Sequence, residues 1–338
     1  MGELASTEWE EGAPRVLGIP LHPSGERNIL DYVLVGSDEI QHVRMRMQGL
    51  YRQLVLNILI SAVFLFNFNR AIRMMRTRWK TLPSWCCLLP SLCGVLIGIL
   101  AVASLFPPSI SCRTAAWYVG FAVTFSLMCN SVIVLQKAYL ALCRPRWVLV
   151  VGVLFMLPQL GFMYVSWLVS PVTLEEDSGC TIHYPHFLPF YWFGSTMPLN
   201  ILFSGIFSYI AYKQYQSFGS EAWMRMARDG IQTMCLVVLC NIMCATVLVF
   251  HVGGHLSNMF FAIDYMITTT ILVHHCYQLR ELAGESKRAS KNSLSHQRAN
   301  APPSHYSAHD SRQIEPTDHE WMAIALLTTK PALPASSK

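Results

Sequence analysis

Seven predominantly apolar runs, each about 20 residues or longer, constrain this 338-residue chain more than any other feature. They fall roughly at 50–72, 85–106, 112–142, 147–169, 187–212, 230–252 and 258–277. A helix rising about 1.5 Å per residue needs about 20 residues to cross a hydrocarbon core of about 30 Å. Lipid offers no partner for backbone N–H and C=O groups, so such runs must be helical. The expected fold is all-α, a bundle of seven transmembrane helices. Charged residues make up 13% of the chain, about half of what soluble proteins carry. Within the six spans after the first, Lys137 and Asp264 are the charged side chains, with Arg113 at the edge of span three. This pattern excludes a disordered chain and argues against a soluble multidomain enzyme.

The connections between spans are short, which sets consecutive helices side by side and antiparallel. The polar segments 1–48 and 278–338 flank a transmembrane domain at 49–277. The tail, rich in Ser, His and Pro, is expected to be disordered, and its apolar stretch Trp321 to Leu327 is too short to span. Orientation follows from the basic residues. Sixteen Lys and Arg lie beside one set of span ends, among them Arg70 to Lys80, Arg144, Arg146, Arg225 and Arg228. Four, Arg44, Arg46, Arg52 and Arg113, lie on the other side, together with the acidic arm and the Glu175-Glu176-Asp177 loop. The N-terminus is therefore expected outside and the C-terminus in the cytoplasm. No secretory signal is visible near the start, so span one is expected to direct insertion. The net charge of +5 is modest, and no nucleic-acid partner is expected; membrane lipid is the expected surroundings of the helices.

Cys112 opens span three at its outer end, and Cys180 lies in the outer loop before span five. At the inner end of span three, Lys137-Ala138-Tyr139-Leu140-Ala141-Leu142-Cys143-Arg144-Pro145 matches an Asp-Arg-Tyr-Leu-Ala-x-x-x-Pro pattern at Tyr139, Leu140, Ala141 and Pro145. With the seven-span plan, these features resemble the rhodopsin-like (class A) G-protein-coupled receptors, in a divergent orphan form of the kind found in fungi and other non-animal eukaryotes. The resemblance covers about residues 50–285. It implies a Cys112–Cys180 disulfide, an extracellular ligand and a heterotrimeric G protein as cytoplasmic partner, facing Tyr139, Arg144, Arg146, Arg225 and Arg228. Pro198 matches the family's helix-five proline. Departures are also plain: Lys137 and Ala138 replace the pattern's acid and arginine, and span seven has Asp264-Tyr265-Met266-Ile267-Thr268 in place of Asn/Asp-Pro-x-x-Tyr.

Asp264 is the one acid well inside a span. Such a residue costs about 2.5–3.5 kcal/mol on insertion scales and is expected to face the bundle interior. As ligand contacts the sequence offers Asp264, His183, Tyr191 and Trp192, the last three beside the outer mouth, where aromatic rings suit an amphipathic or cationic ligand. The same rings also suit an interfacial belt. Nine cysteines besides Cys112 and Cys180 read as small apolar packing residues. His251 and His255 have a zinc-like spacing, but Gly253-Gly254 interrupts their helix, and no metal or other cofactor is expected. No phosphate loop or hydrolase motif occurs, and no catalytic residue is assigned. The expected protein is a plasma-membrane receptor, not an enzyme. A carrier or channel gated by Asp264 is the alternative, followed by a zinc-dependent intramembrane lipid hydrolase using His251 and His255.

Overall fold

The computed structural model describes residues 13, 15–16, 19–20, 22–34, 40–77, 79–106, 110–142, 145–176, 179–218, 221–250 and 259–278. The tail from 279, residues 1–12, Arg144, Asp177, His251 and His255 lie outside the described residues. Among the described residues the fold is mostly helical: α1 (Ile29–Leu34), α2 (Ile40–Thr77), α3 (Leu82–Ala103), α4 (Cys112–Ala141), α5 (Arg146–Tyr164), α6 (Leu188–Phe218), α7 (Glu221–Val249) and α8 (260–278). Two short antiparallel hairpins accompany them, β1 (Arg15–Val16) with β2 (Ile19–Pro20), and β3 (Val172–Glu175) with β4 (Gly179–Ile182).

Prolines mark the boundaries. Pro83 lies in the first turn of α3, and Pro145 directly precedes α5, positions where the missing N–H costs nothing. A π-helical turn, Val165–Val169, carries α5 into β3.

Among the described residues five helices are long and apolar enough to cross a membrane. Large apolar side chains on them face away from the protein, including Leu59, Phe66, Ile99, Val150, Leu154 and Met243, and an outward apolar surface of this extent marks lipid contact. The chain is therefore an integral membrane protein. The polar residues of α6 and α8 lower their mean hydropathy but point inward. Thr196, Asn200, Asp264, Thr268, Thr269 and His275 are all buried, while Phe190 and Ile201 of α6 are exposed.

Helix α2 begins at Ile40, ten residues before its apolar run, and extends past the run to Thr77. The sequence boundary at 48/49 thus falls inside a continuous helix. At about 1.5 Å per residue its 38 residues reach well beyond the hydrocarbon thickness.

Helix α4 is the most deeply buried of the five spans and packs against α3, α5 and α6. Helix α8 makes polar contacts with four neighbours. Asn67 of α2 donates to Thr270 (2.8 Å), the Tyr265 hydroxyl donates to the Pro90 carbonyl of α3, Ser126 of α4 pairs with Thr269 (3.2 Å), and Thr233 of α7 pairs with His275 (3.2 Å). Between α4 and α5, Gln159 donates to Ser131 (2.9 Å).

The α2–α3 contact rests on Gly94 and Gly98, four residues apart on one helix face. A Cβ on Gly94 would stand 2.2 Å from the Phe64 ring, and one on Gly98 would stand 2.1 Å from Ser61 Oγ. Small residues at this spacing let two membrane helices approach closely. Gly94→Val should therefore overpack the interface by about 1–3 kcal/mol and lower the unfolding temperature in detergent by several degrees. Gly194→Ala, where a Cβ meets nothing within 4 Å, should not. Equal thermal stability of the Gly94→Val and wild-type proteins would contradict this packing.

Candidate functional site: a cavity roofed by a pinned hairpin

Hairpin β3–β4 lies across one end of the bundle. Cys180 on β4 is disulfide-bonded to Cys112 at the first residue of α4, with Cα atoms 5.8 Å apart. Gln53 of α2 grips the same strand: the Cys180 N–H donates to Gln53 Oε1 (3.1 Å), and Gln53 Nε2 donates to the Cys180 carbonyl (3.4 Å). Gly179 has a φ of +74°, and a Cβ there would come 2.5 Å from Gln53 Oε1. Only glycine accepts both that backbone conformation and that approach without strain.

Three further ties hold this end together. Arg113 of α4 pairs with Glu26 (2.5 Å) and donates to the His22 carbonyl (3.3 Å), which fastens the N-terminal arm. Gly25 of the arm packs so closely on β3 that a Cβ would sit 2.5 Å from the Val172 carbonyl oxygen. At the hairpin turn, Glu176 accepts from Arg46 (2.9 Å) and pairs with His42 (2.9 Å), both on the projecting end of α2, and Arg46 also stacks 4.6 Å from the Tyr32 ring centroid of α1. The hydrogen bonds from His42 and then Arg46 hold the Glu176 carboxyl below its ordinary range.

Beneath the roof, α2, α3, α4 and α8 enclose a cavity of about 130 Å³. Its walls are apolar, with Leu54, Ile97, Leu100 and Val119 among them, and Cys112, Cys180 and Ile182 line its hairpin side. Phe64 and Tyr265, ring centroids 4.6 Å apart, lie on the wall away from the roof. Among the described residues no charged side chain lines it. The Gln53 amide is engaged with the hairpin and the Tyr265 hydroxyl with α3. Asn57 also lines the cavity, and among the described residues its side-chain amide makes no hydrogen bond. This described lining suits an uncharged, largely apolar molecule with one hydrogen-bonding group.

The residues singled out from sequence sit elsewhere. His183 pairs across the hairpin with Glu175 (3.1 Å) and Thr173 (2.7 Å) and so stiffens it. Tyr191 joins α6 to α5, its hydroxyl donating to the Pro158 carbonyl (2.5 Å). Trp192 is buried edge-on against Phe261 at 5.7 Å. Asp264 is buried and faces the Cys240 thiol of α7 at 3.8 Å. None of these four lines the cavity.

At the opposite end, Tyr139 is half-buried, Arg146 is exposed at the start of α5, and Arg225 and Arg228 fall within α7. Ala138 is fully buried in a cluster with Val148, Leu199 and Phe203, so a side chain as large as arginine has no room there. Lys137 lies within electrostatic reach of Cys87, Cys276 and His275.

Sequence reasoning missed Gln53 and the cysteine pair Cys240 and Cys244, and it offered Asn57 only as a polar-switch partner of Asp264, whereas Asn57 lines the cavity and Asp264 does not. Gln53 and Asn57, four residues apart in an apolar run, were a legible signal of one shared inward face. The chain matches no protein-family model and no curated protein.

A glutamate whose pKa is lowered on folding stabilises the fold above its ordinary pKa of about 4.3 and loses that contribution as pH falls through the lowered value. Glu176→Gln should therefore unfold at a lower temperature than wild type near pH 7, by the modest amount of a partly exposed pair, up to about 1 kcal/mol. The two melting curves should converge as pH is taken below about 4. A gap that persists unchanged into that acid range would contradict the role given to this carboxylate.

Proposed function

We propose that this chain is a seven-helix plasma-membrane receptor of the rhodopsin-like plan, with its N-terminus outside and its C-terminus cytoplasmic. The observation that carries the reading is the apolar cavity closed by a cystine-pinned hairpin at one end of the helix bundle. Helices α2 to α8 are the seven spans, α6 and α8 joining the five more apolar ones by turning their polar side chains inward. A disulfide persists on the oxidising side of a membrane, which agrees with the basic residues gathered at the other end. Arg46, a basic residue on the outer side, is matched there by Glu176.

The ligand is uncharged and mainly apolar, and its one polar group meets the Asn57 amide. Its volume presses on Phe64 and Tyr265. Because the Tyr265 hydroxyl is bonded to the Pro90 carbonyl in α3, displacement of this ring moves α8 relative to α3 and reaches the cytoplasmic ends. There Tyr139, Arg146, Arg225 and Arg228, with Arg144 in the adjoining connection, form the surface for a heterotrimeric G protein. With Ala138 packed in the core, coupling runs without an arginine at that position.

The test is whether the full-length protein, isolated in mild detergent from its native membranes, retains a heterotrimeric G protein that a non-hydrolysable GTP analogue releases. Nucleotide-sensitive release is the expected result. Absence of any G protein, with apolar candidate ligands present, would overturn the coupling.

A further inference from the structure

Cys240 and Cys244 are four residues apart on α7, so their side chains share one helix face. Asp264 of α8 approaches the same face. The two sulfurs and one carboxylate oxygen all lie within 4.8 Å of one another, and Asp264 and Cys244 are buried. A carboxylate at this depth is costly unless it is strongly paired. Among the described residues no cation pairs with Asp264; its side chain is met by the thiols of Cys240, at 3.8 Å, and Cys244, and a thiol is a weak donor. The surrounding cluster, with Ala245, Leu248 and Phe261, is otherwise apolar.

We propose that Cys240, Cys244 and Asp264 bind a thiophilic divalent cation, zinc(II), and so tie α7 to α8. The donor set fits. Two thiolates and a carboxylate are ordinary zinc ligands, and three protein ligands leave a fourth tetrahedral position for water. Zinc with bonds of about 2.3 Å to sulfur and about 2.0–2.2 Å to oxygen holds its ligands about 3.4–3.8 Å apart. The Cys240 to Asp264 separation of 3.8 Å already meets this, and side-chain rotation of about 1 Å gathers the rest. Binding replaces the two thiol protons, which leave to solvent, with two zinc–sulfur bonds, while a carboxylate oxygen takes the third position. The two positive charges of the ion balance the two thiolates, and the carboxylate exchanges weak thiol donors for a direct bond to the ion, so the occupied site carries one net negative charge. The inference stands apart from the receptor reading, since a clamp between these helices is compatible with a carrier as well.

The experiment uses the full-length chain carrying a tag without histidine, purified in detergent and analysed for metal content. About one zinc per chain is expected. Cys240→Ser with Cys244→Ser should abolish it, and Asp264→Asn should weaken retention at least tenfold, as loss of one ligand does. Cobalt(II) titrated into the metal-stripped wild-type protein should give a sulfur-to-cobalt charge-transfer band and raise the unfolding temperature, a readout that needs no variant to fold. Metal content unchanged by the double substitution, or no sulfur-to-cobalt band in the wild-type protein, would overturn the site.

Discussion

A polar side chain on a helix in lipid can find a partner only on another helix, and most of this architecture follows from that constraint. Helix α8 carries it furthest. Along its length Tyr265, Thr269, Thr270 and His275 reach α3, α4, α2 and α7 in turn, and Asp264 faces the thiols of α7. A helix bonded to four neighbours is fixed in rotation and height, so a shift of α8 is felt on every side of the bundle. The outward faces are apolar and interchangeable in chemistry, and they contribute little to which helix sits where.

The hairpin end obeys a different rule, because water competes there for every polar group. A roof over that end needs a covalent link, and Cys112–Cys180 supplies it. Closing a loop across a sequence separation of 68 residues restricts the unfolded chain by about 4 kcal/mol in the chain-entropy account. The noncovalent ties then set the register of the roof: Gln53 on the Cys180 backbone, Gly179 under it, Arg113 on the arm, and Glu176 on the end of α2. The cavity exists because the roof is held at fixed height above Phe64 and Tyr265.

The apolar runs were legible because lipid imposes a length and a hydropathy that no soluble helix needs. The Cys112–Cys180 bond came through a family resemblance, and the structure contains it. Other features were not legible for definite reasons. The start of α2 at Ile40 is hidden because its first turns stand above the apolar run and are polar. The aromatic run at Tyr191 and Trp192 suggested a mouth, yet these rings pack α6 against α5 and α8, since an aromatic residue at a span end serves a pocket, a belt or a helix contact equally well. Asp264 was marked by its charge, but its partners Cys240 and Cys244 read as packing residues until α7 and α8 were placed side by side. Gly94 and Gly98 show their use only when Phe64 and Ser61 are seen against them.

The account stands most directly on what occupies the space beneath the hairpin. Cryo-electron microscopy of the full-length protein in lipid nanodiscs, soaked with a panel of uncharged apolar small molecules, would show it. The account predicts density for one such molecule bounded by α2, α3, α4 and α8, with its polar group at Asn57 and an apolar end against Phe64 and Tyr265. Density instead between α5 and α6 beside Tyr191, or a cavity filled by its own side chains under every condition, would contradict it.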